Sequence, residues 1–249
     1  MKDMVASRLK NHDNTDETSE KAGIKSTGID LLDKRIEGGL PEDSLVCIYA
    51  DPISMPEVFL YQLSSERKAY YVNTSRPLQY IQRNISNMGF SVKDMGFIDV
   101  FSQYYLNEYG QFVLENKYRD KEIFDFIEHQ LNNLPGEDFN VVFDSISFFM
   151  RLDVSRGLKD WLLNKIYLLS KESRNLFYMY LMKGVHPIKI TNMVIEISDV
   201  VFNIRTEEVG PEVKNILSVP KIRSRSPVKE TFKFDIEEGI RIDTSREIL

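Results

Sequence analysis

Few residues in this chain are placed to do chemistry, and the first group sits in a turn. The apolar run Leu45–Ala50 (LVCIYA) is followed by Asp51-Pro52-Ile53-Ser54-Met55-Pro56-Glu57-Val58 and then by a helix-length stretch. In an α/β fold, the turn from the first buried strand into its helix is where phosphate is ordinarily held, on converging backbone N–H groups at the positive end of the helix dipole. This turn is poorly equipped for that task. Pro56 has neither a cation nor an N–H, and Ile53 and Met55 reach positive φ only at a cost. Glu57 adds a carboxylate, and at about 4 Å with an effective dielectric near 20 a like-charge contact costs roughly 4 kcal/mol. The same residues read well as a helix that satisfies its own start. Ser54-x-x-Glu57 has the capping-box spacing, with Ser54 as N-cap accepting from the Glu57 N–H, Glu57 at N3 and Pro56 in the first turn. A carboxylate also suits that end of the helix dipole.

The other candidates are thinner. Asp144 and Ser145 close the apolar run NVVFD, and Ser75 and Arg76 follow AYYVN. A lone strand-end Asp reads first as a capping or hydrogen-bonding residue. A hard-cation site from Asp51, Glu57 and Asp144 is the alternative, although it is short of oxygen ligands. Neither Ser75 nor Arg76 can serve as a carboxylate base toward water. Lys221–Lys233 holds five basic residues (Lys221, Arg223, Arg225, Lys229, Lys233) against Glu230. Such a hairpin reads either as a solvated edge kept from aggregating or as an anion contact, including the phosphate backbone of nucleic acid. His12, His129 and His186 are scattered, which argues against a histidine-built site, and Cys47 lies in an apolar run as a core thiol. Tyr104, Tyr105, Tyr109 and Tyr118 cluster in one long connection, as a contact surface or as a lid over the sheet.

The elements that must position these residues follow a regular pattern. Leu45–Ala50, Ala69–Asn73, Phe97–Phe101, Asn140–Asp144 and Asn175–Leu181 read as buried strands. Between them, Asp120–Leu134 carries Ile123, Phe124, Ile127, Leu131 and Leu134 on one face, stopped by Pro135-Gly136. Ser155–Lys171 carries Leu158, Trp161, Leu162, Ile166 and Leu169. A shorter helix pattern (Ile29, Leu32, Ile36) precedes the first strand. Strands alternating with helices predict parallel pairing with right-handed crossovers. The helix-poor C-terminal third (VVFNIRT, NILSVPKIR, TFKFDI, GIRID) predicts an antiparallel extension of the same sheet. Residues 1–22 are polar and aperiodic and read as a flexible arm, with 23–249 as a single domain.

Composition bounds the rest. The 249 residues are 42% apolar with net charge −6, enough for a full core and poorly suited to a dedicated nucleic-acid binder. One cysteine rules out a disulfide framework. No apolar run approaches the ~18 residues needed to span a bilayer, and no signal-peptide pattern opens the chain, so a cytoplasmic protein without membrane contact is expected.

With these residues in view, the chain resembles the KaiC-like branch of the RecA superfamily of P-loop ATPases. TGIDLLDKRIEGGLP matches that family's T-G-x-x-x-L-D…G-G-x-P run ahead of the first core strand. AYYVNTSRP, NVVFDSIS and VPKIRSRSPVKETFKFDIEEGIRI match later pieces in order, so that the resemblance covers about residues 24–243. It implies a three-layer RecA-like α/β fold, with a mainly parallel central sheet and an antiparallel C-terminal extension. It also implies where the chemistry has gone. The family's G-P-P-G-S-G-K-T-T falls on Ala50–Val58, so Pro56 stands for the phosphate-binding Lys and Glu57 for the Mg²⁺-binding Thr. Ser75 and Arg76 stand for the family's water-orienting Glu residues, while Asp144 keeps the Walker B position. Residues matching Lys221 and Arg223 reach into a neighbouring subunit's nucleotide in that family; a role in trans requires these two to be exposed and free of carboxylate partners in their own chain, with Arg225 beside them as a further trans-acting or anion contact.

The resulting expectation is a catalytically inactive RecA/KaiC-like homologue, not an enzyme, acting as a regulatory or assembly module through protein contacts. No cofactor is implied. The expected partner is a protein, an active ATPase of the same superfamily being the natural candidate, with self-association open. Two alternatives stand beside it: a nucleotide-binding protein or weak ATPase using a rearranged loop, and a recombination-type DNA-binding accessory protein.

Overall fold

The computed structural model describes residues 23–113, 117–135, 138–209, 212–223 and 225–243. The arm expected over residues 1–22 and the side chain of Tyr118 lie outside them. A short strand β1 (Ile24–Lys25) and helix α1 (Asp30–Arg35) lead to β2 (Leu40–Pro41) and then to β3 (Leu45–Ala50). A 3₁₀ turn over Pro52–Ser54 joins β3 to α2 (Pro56–Ser65). Next come β4 (Ala69–Asn73), α3 (Leu78–Asn87), β5 (Met95–Asp99), α4 (Val100–Tyr105) and α5 (Lys117–Asn132). They are followed by β6 (Asn140–Asp144), α6 (Ile146–Arg151), α7 (Arg156–Ser173), β7 (Leu176–Met182) and α8 (Ile188–Ile197). The chain ends in β8 (Val200–Val209), β9 (Glu212–Ile222), β10 (Thr231–Glu237) and β11 (Gly239–Ile242).

The nine-stranded sheet has the order β11-β10-β9-β8-β3-β7-β6-β4-β5. From β8 to β5 every neighbour pairs parallel. From β8 to β11 the pairing is antiparallel. This is the mainly parallel sheet with an antiparallel extension that the alternating pattern predicts. β3 is central, and its alternate side chains feed two cores. Val46, Ile48 and Ala50 pack with α2 and α3 through Val58, Phe59, Leu60, Ile81 and Ile85. Leu45 and Cys47 face α5 and α7 through Phe124, Ile127, Leu162 and Ile166. Strands covered on both faces must be apolar throughout, which is why they read as unbroken runs.

β7 begins and ends one residue later than predicted, and β5 differs from its predicted bounds by two. β5 covers Met95–Asp99 rather than Phe97–Phe101, because the Asp99 side chain accepts from the Ser102 N–H at 3.1 Å and starts α4 at Val100. Asp at an N-cap outweighs the β-propensity of Val100 and Phe101.

The T-G-x-x-x-L-D run has a structural explanation. The Asp33 carboxylate accepts from the Ser26 hydroxyl (2.8 Å), the Thr27 hydroxyl (2.7 Å) and the Thr27 N–H (3.0 Å). Gly39 (φ +138°) passes so close to the Lys25 carbonyl that a Cβ would lie 2.3 Å from its oxygen, which only glycine avoids. This segment therefore holds β1 against β2 without reference to any ligand.

At the amino ends of the parallel strands, one buried carboxylate ties several elements together. Asp199 accepts from the Leu45 N–H at 2.9 Å and from the Lys171 ammonium at 2.8 Å. Its own N–H donates to the Leu45 carbonyl, and the Arg223 guanidinium lies 3.1 Å from the second carboxylate oxygen. Asp199→Ala would leave the Leu45 N–H without its acceptor, the Arg223 guanidinium without its carboxylate, and Lys171 with Asp43 alone. A loss of about 3 kcal/mol of unfolding free energy is expected, read by urea denaturation; a loss below about 1 kcal/mol would contradict this assignment.

Candidate functional site

The carboxyl ends of β3, β4, β6 and β7 converge on the turn that follows β3. The Asp51 N–H donates to the Ile204 carbonyl on β8 at 3.3 Å. The Ser54 N–H and hydroxyl both donate to the Asp51 carbonyl, at 3.0 and 2.6 Å, closing the turn on itself. Met55 then takes a left-handed conformation (φ 51°, ψ 52°) as the N-cap of α2, with Pro56 at the first helical position. Ser54 is fully buried, whereas Ile53 (78% exposed) and Met55 (43%) face solvent.

The capping box expected of Ser54 and Glu57 does not form. α2 has no side-chain cap, and the Ser54 hydroxyl is spent inside the turn. The reason is Met55, which adopts the positive φ expected to be disfavoured for it and thereby moves the helix start one residue onward. Glu57 still lies in the first turn, where its carboxylate meets the positive dipole end.

Asp51 is paired as well. Lys183, just past β7, lies 3.6 Å from its carboxylate, donates to the Ile204 carbonyl at 2.6 Å and sits over the Tyr49 ring at 5.2 Å. Burial pulls the Lys183 pKa down, opposed by the Asp51 charge. Sequence reasoning missed this residue. A cation opening the Lys183-Gly184 turn after an apolar strand was the available signal.

Asp144, at the end of β6, is 8% exposed and accepts from the Tyr71 hydroxyl at 2.8 Å and the Ser75 hydroxyl at 3.3 Å. Its carbonyl accepts from the Thr74 N–H and hydroxyl, and the Thr74 hydroxyl oxygen accepts from the Ser145 N–H at 2.8 Å. Burial raises the Asp144 pKa, the bond from Tyr71 and the Arg76 charge oppose the shift, and Glu57 reinforces it. Tyr61, Tyr71 and Tyr180 occupy the space around it as buried rings whose phenols burial pushes up. The arrangement thus gives Asp144 the hydrogen-bonding role. Among the described residues, no group of three His, Cys, Asp or Glu side chains gathers where a metal could sit. Ser75 and Arg76 are both exposed.

Lys221, Arg223 and Arg225 are held within their own chain, and the ion pair of Arg223 contradicts what a role in trans requires. Lys221 donates to the Ile195 and Glu196 carbonyls at 2.8 and 3.0 Å. Arg223 pairs with Asp199, and Arg225 donates to the Ile36 and Gly39 carbonyls. The buried Asp199 requires a counter-charge, and the helix ends around it offer unpaired carbonyls, so these cations are consumed within their own chain. The remaining candidates stand apart from this site. Burial pushes the Cys47 thiol up to about 12, making it inert. The Tyr104 hydroxyl donates to Asp120 at 2.7 Å beneath the surface, while Tyr109 is 78% exposed. His129 lies on the surface of α5 and His12 outside the described residues. His186 lies 2.9 Å from the buried Ser147 hydroxyl.

Comparison with known proteins places this geometry. A family described as a family of unknown function, DUF7125, matches residues 24–249, and the chain belongs to it. No curated protein sequence matches the chain. Among solved structures, a KaiC-like protein from Pyrococcus horikoshii OT3 aligns with a TM-score of 0.68 at 18% identity, over 89% of this chain and 99% of that one. The flagellar accessory protein FlaH from Methanocaldococcus jannaschii aligns at 0.69 and 19%, over 91% and 100%. The fold is therefore that of the RecA-superfamily ATPases.

Two outcomes are expected at this site. Met55→Gly relieves a left-handed side chain and leaves stability unchanged or raised by up to about 1 kcal/mol, whereas the β-branched Met55→Val lowers it by more than about 1 kcal/mol; equal effects in urea denaturation would contradict the turn geometry. Because the folded pKa of Asp144 lies above its unfolded value, the folded state retains the proton longer. Its contribution is complete below the unfolded pKa and declines as pH rises through the folded one. Asp144→Asn should therefore gain stability relative to the parent at pH 7 but not at pH 4, and the reverse order would contradict the assignment.

Proposed function

We propose that the protein is a catalytically inactive RecA/KaiC-type domain, working as a regulatory or assembly module through protein contacts. The observation that carries this reading is the turn from Asp51 to Pro56. A phosphate-binding loop works by leaving successive N–H groups open, with a lysine beside them. Here two prolines remove N–H groups, Ser54 donates its own to Asp51, and exposed aliphatic side chains stand on the outside. Among the described residues, the strand-end charges nearest the turn are already engaged. Lys183 is held by Asp51 and by a carbonyl, and Asp144 is enclosed by Tyr71 and Ser75. Polar residues that would hold and attack a nucleotide are thus engaged with one another.

The partner is a protein, with an ATPase of the same superfamily the first to try. The hairpin residues Lys221 and Arg223 have no place in that contact, being tied to their own chain. Among the described residues no helix is long and apolar enough to cross a membrane.

The purified protein is expected to give no saturable heat with Mg²⁺-ATP in calorimetry and no phosphate release above a buffer control. Micromolar binding would instead support the rearranged-loop nucleotide site.

A further inference from the structure

The end of the sheet that carries the closed turn is also where exposed aliphatic side chains gather. Ile53 and Met55 stand on the turn after β3; Val185 (38% exposed) stands on the connection after β7 and Ile188 (69%) opens α8 at its end. These two connections are held side by side. β3 and β7 are neighbours with Ala50 opposite Met182, the Lys183 N–H donates to the Ala50 carbonyl at 3.0 Å, and the Lys183–Asp51 pair bridges the next position. The platform under the second connection is braced too: the Ser147 hydroxyl oxygen accepts from the Met182 N–H at 2.8 Å and lies 2.9 Å from His186. Side chains fixed on a rigid base lose little freedom on being covered.

Cations without a partner stand around these aliphatic side chains. The protein carries a net −6, yet Arg76, Arg151 and Lys189 are exposed here, and their side chains have no hydrogen bond or ion pair among the described residues. Arg76 is near enough to Asp144 and Tyr61, and Arg151 and Lys159 near enough to His186, for their charges to act on those groups. Of the acids at this end, Asp51 lies 3.6 Å from Lys183, Glu207 pairs with Arg205, Asp144 is buried against the Tyr71 hydroxyl, and Glu57 faces the positive end of α2. The result is an aliphatic surface rimmed by uncommitted cations.

We propose that this surface docks an acidic, aliphatic segment of a partner protein, whose apolar side chains cover Ile53, Met55, Val185 and Ile188 while its carboxylates pair with Arg76, Arg151 and Lys189. The proposal rests on the reading of the domain as an interaction module and adds the chemistry of the partner. A complementary charge rim of this kind chooses partners and speeds encounter, and the aliphatic centre supplies the affinity. Nucleic acid fits less well, because bases bind by stacking on rings and these four side chains offer none.

The test uses the full chain and labelled synthetic helical peptides read by fluorescence anisotropy: one of leucine and glutamate, and one with lysine in place of every glutamate. A labelled oligothymidylate is the third probe. The glutamate peptide alone is expected to bind, more weakly as salt rises. Ile53→Asp with Ile188→Asp should weaken it at least about tenfold, as should Arg151→Glu with Lys189→Glu, with urea midpoints unchanged. These positions are exposed, so the variants fold. Absence of glutamate-peptide binding, equal binding of the lysine peptide, or indifference to both variant pairs would overturn the proposal, and so would tighter binding of the oligonucleotide. A parallel ATP titration separates the two claims: ATP binding overturns the interaction-module reading, whereas failure of the peptide alone removes only the partner chemistry.

Discussion

A helix that begins at the carboxyl end of a buried parallel strand brings free N–H groups and a positive dipole end to one spot, and something must satisfy them. In this protein the answer to that demand shapes the surrounding structure. Proline at the first position of α2 removes one donor, and the Asp51 carbonyl takes the Ser54 N–H and hydroxyl. Met55 turns left-handed to join the 3₁₀ turn to the helix, and Glu57 lies in the first turn. With the turn folded inward and Ser54 buried, Ile53 and Met55 stand outside it as an aliphatic face.

The neighbouring strand ends follow the same logic. Lys183 is balanced by Asp51, and the buried Asp144 carboxylate by the Tyr71 and Ser75 hydroxyls. Three tyrosine rings fill the surrounding volume. The RecA-like frame survives because its stability comes from other sources: two apolar cores on either face of β3, the Asp33 hydrogen bonds, and the Asp199 cluster at the opposite end of the sheet.

Much of this was legible in the sequence, for reasons that also explain the misses. β3, β4 and β6 were read with their observed bounds because strands buried on both faces must be apolar throughout. Asp99 was invisible as a helix N-cap because its effect depends on the Ser102 N–H three residues on, while Val100 and Phe101 continued the apolar run. The residue types at Ser54 and Glu57 indicated a closed helix start, but which hydroxyl meets which N–H depends on the backbone at Met55, where the local sterics of a side chain argued the other way. The hairpin cations look free in sequence, since Asp199 and the ends of α1 and α8 that hold them are distant along the chain. Lys183 was overlooked because its partner, Asp51, lies more than a hundred residues earlier and meets it only through the pairing of β3 with β7.

The central claim is that the turn ahead of α2 is closed on itself. The most direct measurement is the amide NMR spectrum of the full chain during titration with Mg²⁺-pyrophosphate, which presents the phosphate chemistry without a base or sugar. The account predicts that the Ile53, Ser54, Met55, Glu57 and Val58 resonances keep their positions up to millimolar ligand. Saturable shifts confined to those amides would contradict it, because they would show the turn opening to receive an anion.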